Sequence, residues 1–382
     1  MPWWYVTVVD DVSTSEIRVN APYITDEDVL EVVKVLKSGR LAAGNYVKTF
    51  EEEFARYLKV KHVLTVSNGT IALFLALKAL GVKGGDEVIV PDFTFFATAS
   101  TVVLAGAKPV FADVDLDTYT IDVHDLEKRI TERTKAIVVV HLYGHPAYMD
   151  PIMKIAEERG IYVVEDCAQS HGAEYKGVKT GSIGHVSAFS FYATKNMTMG
   201  EGGAIATNDD FIKEYVDLQR NHGQVEKYLH KDIGWNFRIT ELQGALGLTQ
   251  LKKLDLMNER RRAIAKIYDQ ELSNLPQIRT PTVKPYAKHV YHQYTIWVNN
   301  AVFRNKLASF LRSKGVQTSI HYPTPLHRQP ALKNFTSAGN AYVNSDKASE
   351  HVLSLPMHPG LRDEEVYTVV KYVREFFKET RF

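Results

Sequence analysis

Cysteine is nearly absent from this chain: Cys167 is the only one in 382 residues. No disulfide can form within the chain, and multi-cysteine zinc or iron–sulfur sites are excluded. Long apolar runs are also missing. The longest uncharged apolar stretch lies between Asp92 and Lys108, shorter than the roughly 18–20 residues that cross a bilayer. The N-terminal run Met-Pro-Trp-Trp-Tyr-Val-Thr-Val-Val-Asp-Asp has no basic leader and soon meets two aspartates, so it does not read as a signal peptide. Charge of one sign is lacking too. The net charge is +1, from 46 Lys and Arg against 45 Asp and Glu, which argues against a nucleic-acid partner held by broad phosphate neutralisation. It leaves room for a local basic pocket around one phosphorylated ligand. No low-complexity segment and no repeat of solenoid length is visible. The expectation is a soluble cytoplasmic protein with no membrane or nucleic-acid partner.

The composition that remains is ordinary for a globular protein, with 45% hydrophobic and 24% charged residues. The length exceeds one compact core and predicts two domains. From Lys61 to about Thr207, short β-rich runs (His62–Val66, Glu87–Val90, Pro109–Val114, Ala136–His141, Ile161–Glu165) alternate with helical stretches (Thr70–Leu80, Phe95–Ala105, Val123–Thr131, Pro151–Arg159). That alternation predicts an α/β domain with a large, mostly parallel sheet covered on both faces. His185–Tyr192 and Gly203–Thr207 read as two more strands, and Asp209–Arg220 as a helix capped by Asn208 or Asp209. Arg238–Leu251 and Asp255–Leu272 read as a long helical region, rich in Lys and Arg in its middle, that connects the two domains. A smaller α+β unit follows, with strands at Val290–Val298 and Gln317–Ile320 and helices at Phe303–Ser313 and Asp363–Phe376. The division is placed at residues 1–255 for the large domain and 256–382 for the small one. Residues 1–24 are expected to pack on one of the two.

Several local patterns bear on chemistry. Ser67-Asn68-Gly69-Thr70 follows a strand and opens a helix, where free amides and the helix dipole favour a phosphate. The same residues also suit a plain strand–helix turn capped by Asn68 or Ser67. Glu165 and Asp166 end a buried strand, at the functional edge of a parallel sheet. An ordinary turn or cap aspartate fits that position equally. Lys195 is the only Lys, Arg, Asp or Glu between Lys179 and Glu201. An apolar setting lowers a lysine's pKa and suits imine chemistry, although a lysine snorkelling from a strand end gives the same pattern. His141 and His145 have zinc-ligand spacing for a helix, but Gly144 and Pro146 point to a turn, and no metal site is expected.

Taken in order, these stretches resemble one family, the DegT/DnrJ/EryC1/StrS sugar aminotransferases. The matching segments are Ser-Asn-Gly-Thr at 67–70, Gly-Asp-Glu-Val-Ile-Val-Pro at 85–91 and Thr-Phe-Phe-Ala-Thr at 94–98. They continue with His-Leu-Tyr-Gly at 141–144, Glu-Asp-Cys-Ala-Gln at 165–169 and Ser-Phe-Tyr-Ala-Thr-Lys-Asn at 190–196. Gly-Glu-Gly-Gly at 200–203, Gly-Trp-Asn-Phe-Arg at 234–238 and His-Tyr-Pro at 321–323 complete the set, which spans about residues 20–375. The resemblance implies the aspartate-aminotransferase fold (fold type I) and pyridoxal 5'-phosphate (PLP) held as an imine on Lys195. It further implies Asp166 on the pyridine nitrogen, Phe95 stacked on the ring and Gln169 near the ring hydroxyl. Gly69, Thr70 and Ser190 would hold the phosphate. Asn236 and Arg238 would enter from the other subunit of a homodimer, Asn236 to the phosphate and Arg238 to an anionic substrate group. His321 would lie near the sugar. The implied reaction moves an amino group from an amino acid, usually glutamate, to a nucleotide-linked keto sugar. A PLP-dependent dehydratase or lyase on the same scaffold, and a non-catalytic regulator, are the alternatives. Asn68 departs from the family's common serine. Lys195 departs from the histidine of the dehydratase variant.

Overall fold

The computed structural model describes residues 16–336 and 341–379. A seven-stranded sheet organises the larger domain. It contains β1 (His62–Val66), β2 (Glu87–Pro91), β3 (Lys108–Ala112), β4 (Thr134–Val140), β5 (Tyr162–Asp166), β6 (Val186–Ser190) and β7 (Gly203–Thr207). The order across the sheet is β1-β7-β6-β5-β4-β2-β3. Within it β7 alone runs antiparallel, to β1 and β6, and the other pairings are parallel.

The helices follow in chain order: α1 (Asp26–Ser38), α2 (Asn45–Leu58), α3 (Gly69–Ala79), α4 (Ala97–Leu104), α5 (Val123–Arg129), α6 (Met149–Arg159), α7 (Asp210–Gln219), α8 (Glu241–Leu272), α9 (Ala301–Ser313), α10 (Val343–His351) and α11 (Asp363–Glu379). Successive strand residues point to opposite faces, and each face finds its own cover. Val88, Val90 and Val138 pack under α3, α4 and α7 through Leu73, Val102 and Val216. Ile89, Ile137 and Val139 face α5 and α6 through Leu126 and Ile152. Burial on both faces is why these strands read as continuous apolar runs rather than alternating ones.

Local chemistry sets the helix starts. Asn68 Oδ1 accepts the Ile71 N–H at 2.9 Å and caps α3; Asp209 caps α7 in the same way. α2 begins after Gly44, which has no side chain to cap it. Glu241 supplies the missing carboxylate, accepting the N–H groups of Gly44, Tyr46 and Val47 at 2.7, 3.0 and 3.0 Å. That exchange ties the start of α8 to the large domain.

The smaller unit holds an antiparallel sheet of β8 (Ile278–Arg279), β9 (Tyr294–Val298) and β10 (Val352–Leu355). The far half of α8, with α9 and α11, closes its core through Tyr268, Leu307 and Val369. The long helical region expected over 238–272 is the single helix α8, in which Lys252 and Lys253 face Glu27 and buried Asp28 of α1. Two expectations are corrected here. Only Tyr294–Val298 of the strand expected at 290–298 pairs. The stretch Gln317–Ile320 forms no strand, only single bridges from Val316 to Ile17 and from Ser319 to Ser354. The expectation for residues 1–24 falls partly outside the described residues at 1–15; beyond them, Ile17 and Val19 hydrogen-bond to Gly315, Gln317 and Met357 of the smaller unit.

Gly203 is the tightest joint between sheet and site. A methyl at its Cα would lie 2.4 Å from the Asn68 carbonyl carbon and oxygen and 2.9 Å from the Gly69 nitrogen. Neither backbone can yield, because Gly203 is paired with both Val66 and Ser190. Gly203→Ala is expected to lower stability by about 1–3 kcal/mol, the usual cost of overpacking, read as a fall in the denaturant midpoint. An unchanged midpoint would show that the joint is looser than its geometry.

Candidate active site

Parallel strands end on one edge, and ligands gather there. β1, β5 and β6 finish on that edge at Val66, Asp166 and Ser190, and antiparallel β7 starts beside them at Gly203. A cavity of about 710 Å³ opens above the edge. Gly69, Thr70, Phe95, Asp166, Gln169, Ser190, Lys195 and His321 all line it. These residues are scattered over more than 250 positions of chain, roughly the span from 69 to 321.

The first wall is an anion cradle. Asn68 uses its side chain and carbonyl on Ile71 and Ala72. The N–H groups of Gly69 and Thr70 are left without a partner among the described residues, at the positive end of α3. A Cβ on Gly69 would sit 2.7 Å from the Ser190 Cβ, so glycine is what lets the serine close the cradle. Two unpaired amides, a helix start and two hydroxyls fit a phosphate group.

The second element is a buried carboxylate. Asp166 Oδ1 accepts the Ala168 N–H at 3.1 Å and Oδ2 accepts the Thr98 hydroxyl at 3.2 Å. Burial pushes its carboxyl above the ordinary value, and the Ala168 N–H, the Lys195 charge and Thr98 pull it back. Lys195 is the third. It follows β6 in a turn closed by its own N–H to the Tyr192 carbonyl at 2.9 Å. Its ammonium has no hydrogen bond or ion pair among the described residues. Burial lowers its pKa to about 8, against the opposing charge of Asp166. At neutral pH about a tenth of such a lysine is the nucleophilic amine, far more than for an ordinary one.

Phe95 stands 57% exposed at the mouth, with its ring centroid 6.1 Å from that of Tyr322. Gln169 is locked: its Oε1 accepts the Tyr143 N–H at 2.7 Å and its Nε2 donates to the Tyr322 hydroxyl at 3.0 Å. His321 belongs to the wall, but its ring nitrogens already meet Ser354, Gln293 and Ser319. Burial, then the Lys195 charge, lowers its pKa to about 4, so it is neutral. Asn236 and Arg238 are not brought to this cavity. Both are exposed on their own chain, where Arg238 donates to Asn221.

Thr98, Tyr143 and Tyr322 lie in the family-like segments at 94–98, 141–144 and 321–323, and the resemblance implies no role for them. His292 and Gln293 also line the cavity and lie in no quoted motif. A separate buried cluster of His141, Glu165 and Cys167 has ligand-like spacing. Its groups are already spoken for. Glu165 accepts the N–H groups of Gly181, Ile183 and Gly184 and the His141 ring N–H. The other His141 nitrogen accepts the Ala147 N–H. Burial opposes ionisation of Glu165, but these donors outweigh it and hold the carboxyl below its ordinary value. The cluster is a structural knot behind the site.

Comparison with known proteins adds context to this geometry. The sequence model of the DegT/DnrJ/EryC1/StrS aminotransferase family matches residues 22–374. The dTDP-3-amino-3,4,6-trideoxy-α-D-glucose transaminase of Streptomyces venezuelae is 40% identical over 346 residues, covering 90% of each chain. A pleiotropic regulatory protein of Geobacillus stearothermophilus is 41% identical over 348 residues, 90% of this chain and 93% of its own. Among solved structures, a protein of Streptococcus pneumoniae described as a sugar aminotransferase, in its PLP form, superposes with a TM-score of 0.91 at 29% identity. It covers 96% of this chain and 100% of its own.

Proposed function

We propose a function from one premise: the chain belongs to the DegT/DnrJ/EryC1/StrS aminotransferase family. We infer that it carries PLP and moves an amino group from an amino acid, L-glutamate first among candidates, to a nucleotide-linked keto sugar. The observation that carries this reading is the placement of Lys195, with its lowered proton affinity, in one cavity with Asp166 and the cradle of Gly69, Thr70 and Ser190. PLP, when bound, supplies an electron sink for cleavage at the amino-bearing carbon. The chain's own residues do the rest. Gly69, Thr70 and Ser190 hold the phosphate, and Phe95 covers the ring. Asp166 keeps positive charge on the ring nitrogen, and Gln169 stands near the ring hydroxyl. Lys195 bonds the cofactor at rest and, once released, carries the proton between the two exchanging carbons. A regulator would need none of these groups, and the histidine that marks the dehydratase variant is absent.

A half-reaction screen tests the substrate. Glutamate should convert the yellow protein to its amino form. A dTDP-, UDP- or GDP-linked keto sugar should then restore the original spectrum. Restoration by pyruvate or oxaloacetate but by no sugar would sink the sugar reading.

The charge balance of the cavity supports a shared site. Among the described residues Lys195 is the only lysine or arginine lining it, beside Asp166 and Glu201. Among them there is no second cation to balance a substrate carboxylate or diphosphate. We propose that Asn236 and Arg238 of a second copy complete it, Asn236 at the phosphate and Arg238 at the substrate anion, with His321 behind the sugar. Mixing Lys195→Ala chains with Asn236→Ala/Arg238→Ala chains under exchange should restore about a quarter of wild-type activity, since half the dimers then hold one intact site. No recovery in verified hybrids would refute sharing.

A further inference from the structure

A buried carboxylate needs donors, because burial alone disfavours its charge. Asp166 is 6% exposed, and its side-chain oxygens have two donors among the described residues. The Ala168 N–H reaches Oδ1 at 3.1 Å, and the Thr98 hydroxyl reaches Oδ2 at 3.2 Å. The first is backbone, two residues along the chain. The second is a side chain brought in by α4. Thr98 is fully buried and stands behind the cavity wall rather than in it.

Only one direction fits the bond from Thr98. A hydroxyl has a single proton. Thr98 Oγ1 has two neighbours, Asp166 Oδ2 and, at 3.2 Å, Thr94 Oγ1. An ionised carboxylate only accepts, and it is a stronger acceptor than a neutral hydroxyl. Thr98 therefore gives its proton to Asp166 and accepts that of Thr94. Thr94 is buried and lines the cavity, so two hydroxyls run from the wall to the carboxylate, each donating inward. The backbone holds them in place. The Thr98 N–H donates to the Phe95 carbonyl at 3.1 Å, so the turn that presents Phe95 to the cavity also aims Thr98 at Asp166. A carboxylate has about four lone-pair sites. Two are filled from the protein, and the rest are left for a ligand.

We infer that Thr98 is a positioning residue for Asp166: its hydroxyl, backed by that of Thr94, pins Oδ2 and supports the charged carboxylate at the cavity. The charged and titratable groups facing Asp166 are Lys195, His141, Cys167 and Tyr322. Burial comes first among the influences on its carboxyl and pushes it up. The Ala168 N–H, the Lys195 charge, Thr98 and His141 oppose that push, in this order.

The inference rests on the PLP reading for its purpose, since a ring nitrogen is what needs the charge. The bond itself is measurable without the cofactor. In the full-length chain stripped of cofactor, ¹³C-labelled aspartate carboxyls can be titrated by NMR, and the Asp166 signal is the one missing from Asp166→Asn. A donor favours the charged form and lowers the midpoint, so losing it raises the midpoint. Thr98→Val puts a methyl where the hydroxyl stood, and should raise the Asp166 midpoint by about one pH unit. Thr98→Ala also lacks the hydroxyl and should follow Val. Thr98→Ser keeps the hydroxyl and drops the methyl, and should return the midpoint to that of the wild type. A role in packing alone would reverse the order, with Ser and Ala impaired and Val spared. In the loaded enzyme Thr98→Val should lower kcat by about tenfold, the equivalent of one pH unit, with KM nearly unchanged. An unmoved Asp166 midpoint in Thr98→Val or Thr98→Ala, or an equal displacement in Thr98→Ser, would overturn the inference. Failure of PLP to bind would instead remove the functional reading and leave the bond to stand or fall by the aspartate titration.

Discussion

Lys195→Ala is expected to lower transamination by on the order of 10⁴-fold or more, the combined loss of a covalent anchor and a positioned proton carrier. Borohydride should fix PLP to the peptide containing Lys195 in the wild type and to nothing in the variant. The stability readout separates this loss from damage to the fold. The ammonium of Lys195 has no hydrogen bond or ion pair among the described residues, and burial disfavours its charge. Removing it takes away a desolvated cation and leaves no donor or acceptor stranded, because the turn is held by the backbone bond to Tyr192. The thermal midpoint of Lys195→Ala should equal or exceed that of the wild type. The cradle is intact in the variant, so PLP should still bind, more weakly and reversibly. Turnover within tenfold of the wild type would sink the assignment of Lys195.

Much of this site was legible because it is built from segment ends. The strands of the large sheet are short buried runs, and the residues that end β4, β5 and β6, namely Val140, Asp166 and Ser190, line the cavity. Asp166 after Tyr162–Glu165, Ser190 after Val186–Phe189 and Gly69 after β1 could be placed from pattern and family resemblance together. What stayed hidden depends on long-range packing. The reversed direction of β7 leaves no mark in its composition, since Gly-Ala-Ile-Ala-Thr serves either direction. Thr98 is 68 residues from Asp166, so no window of sequence contains their relation. The strand expected from Val290 begins only at Tyr294. Residues 290–293 dock instead on the turn at Tyr143–Gly144, through Val290 N–H to Gly144 and Gln293 N–H to Tyr143. Gly144 has a φ of 95° and no room for a side chain, with Val290 Cγ2 2.8 Å from where its Cβ would lie. That contact turns an apolar run into a cavity wall, and its partner lies some 150 positions earlier in the chain.

Asp166→Asn should leave the fold intact and lower turnover by about 10²–10³-fold, the scale on which one preorganised electrostatic contact acts. The amide can replace both hydrogen bonds. Its oxygen accepts the Ala168 N–H, and its nitrogen donates to the Thr98 hydroxyl, which can turn to donate toward Thr94 3.2 Å away. Shape and packing are conserved, so the denaturant midpoint should barely move. Only the charge is lost. A neutral amide cannot hold a proton on the pyridine nitrogen, and the electron-withdrawing power of the ring falls with it. The same substitution makes a second prediction with a definite sign. The carboxylate of Asp166 favours the charged form of Lys195 against burial. Without it the midpoint for Lys195 acylation should fall below about 8 in the cofactor-free chain. Loss of activity with an unmoved Lys195 midpoint would mean that the two side chains do not sense one another. Turnover within twofold of the wild type would remove Asp166 from the catalytic machinery altogether, whatever its place at the end of β5.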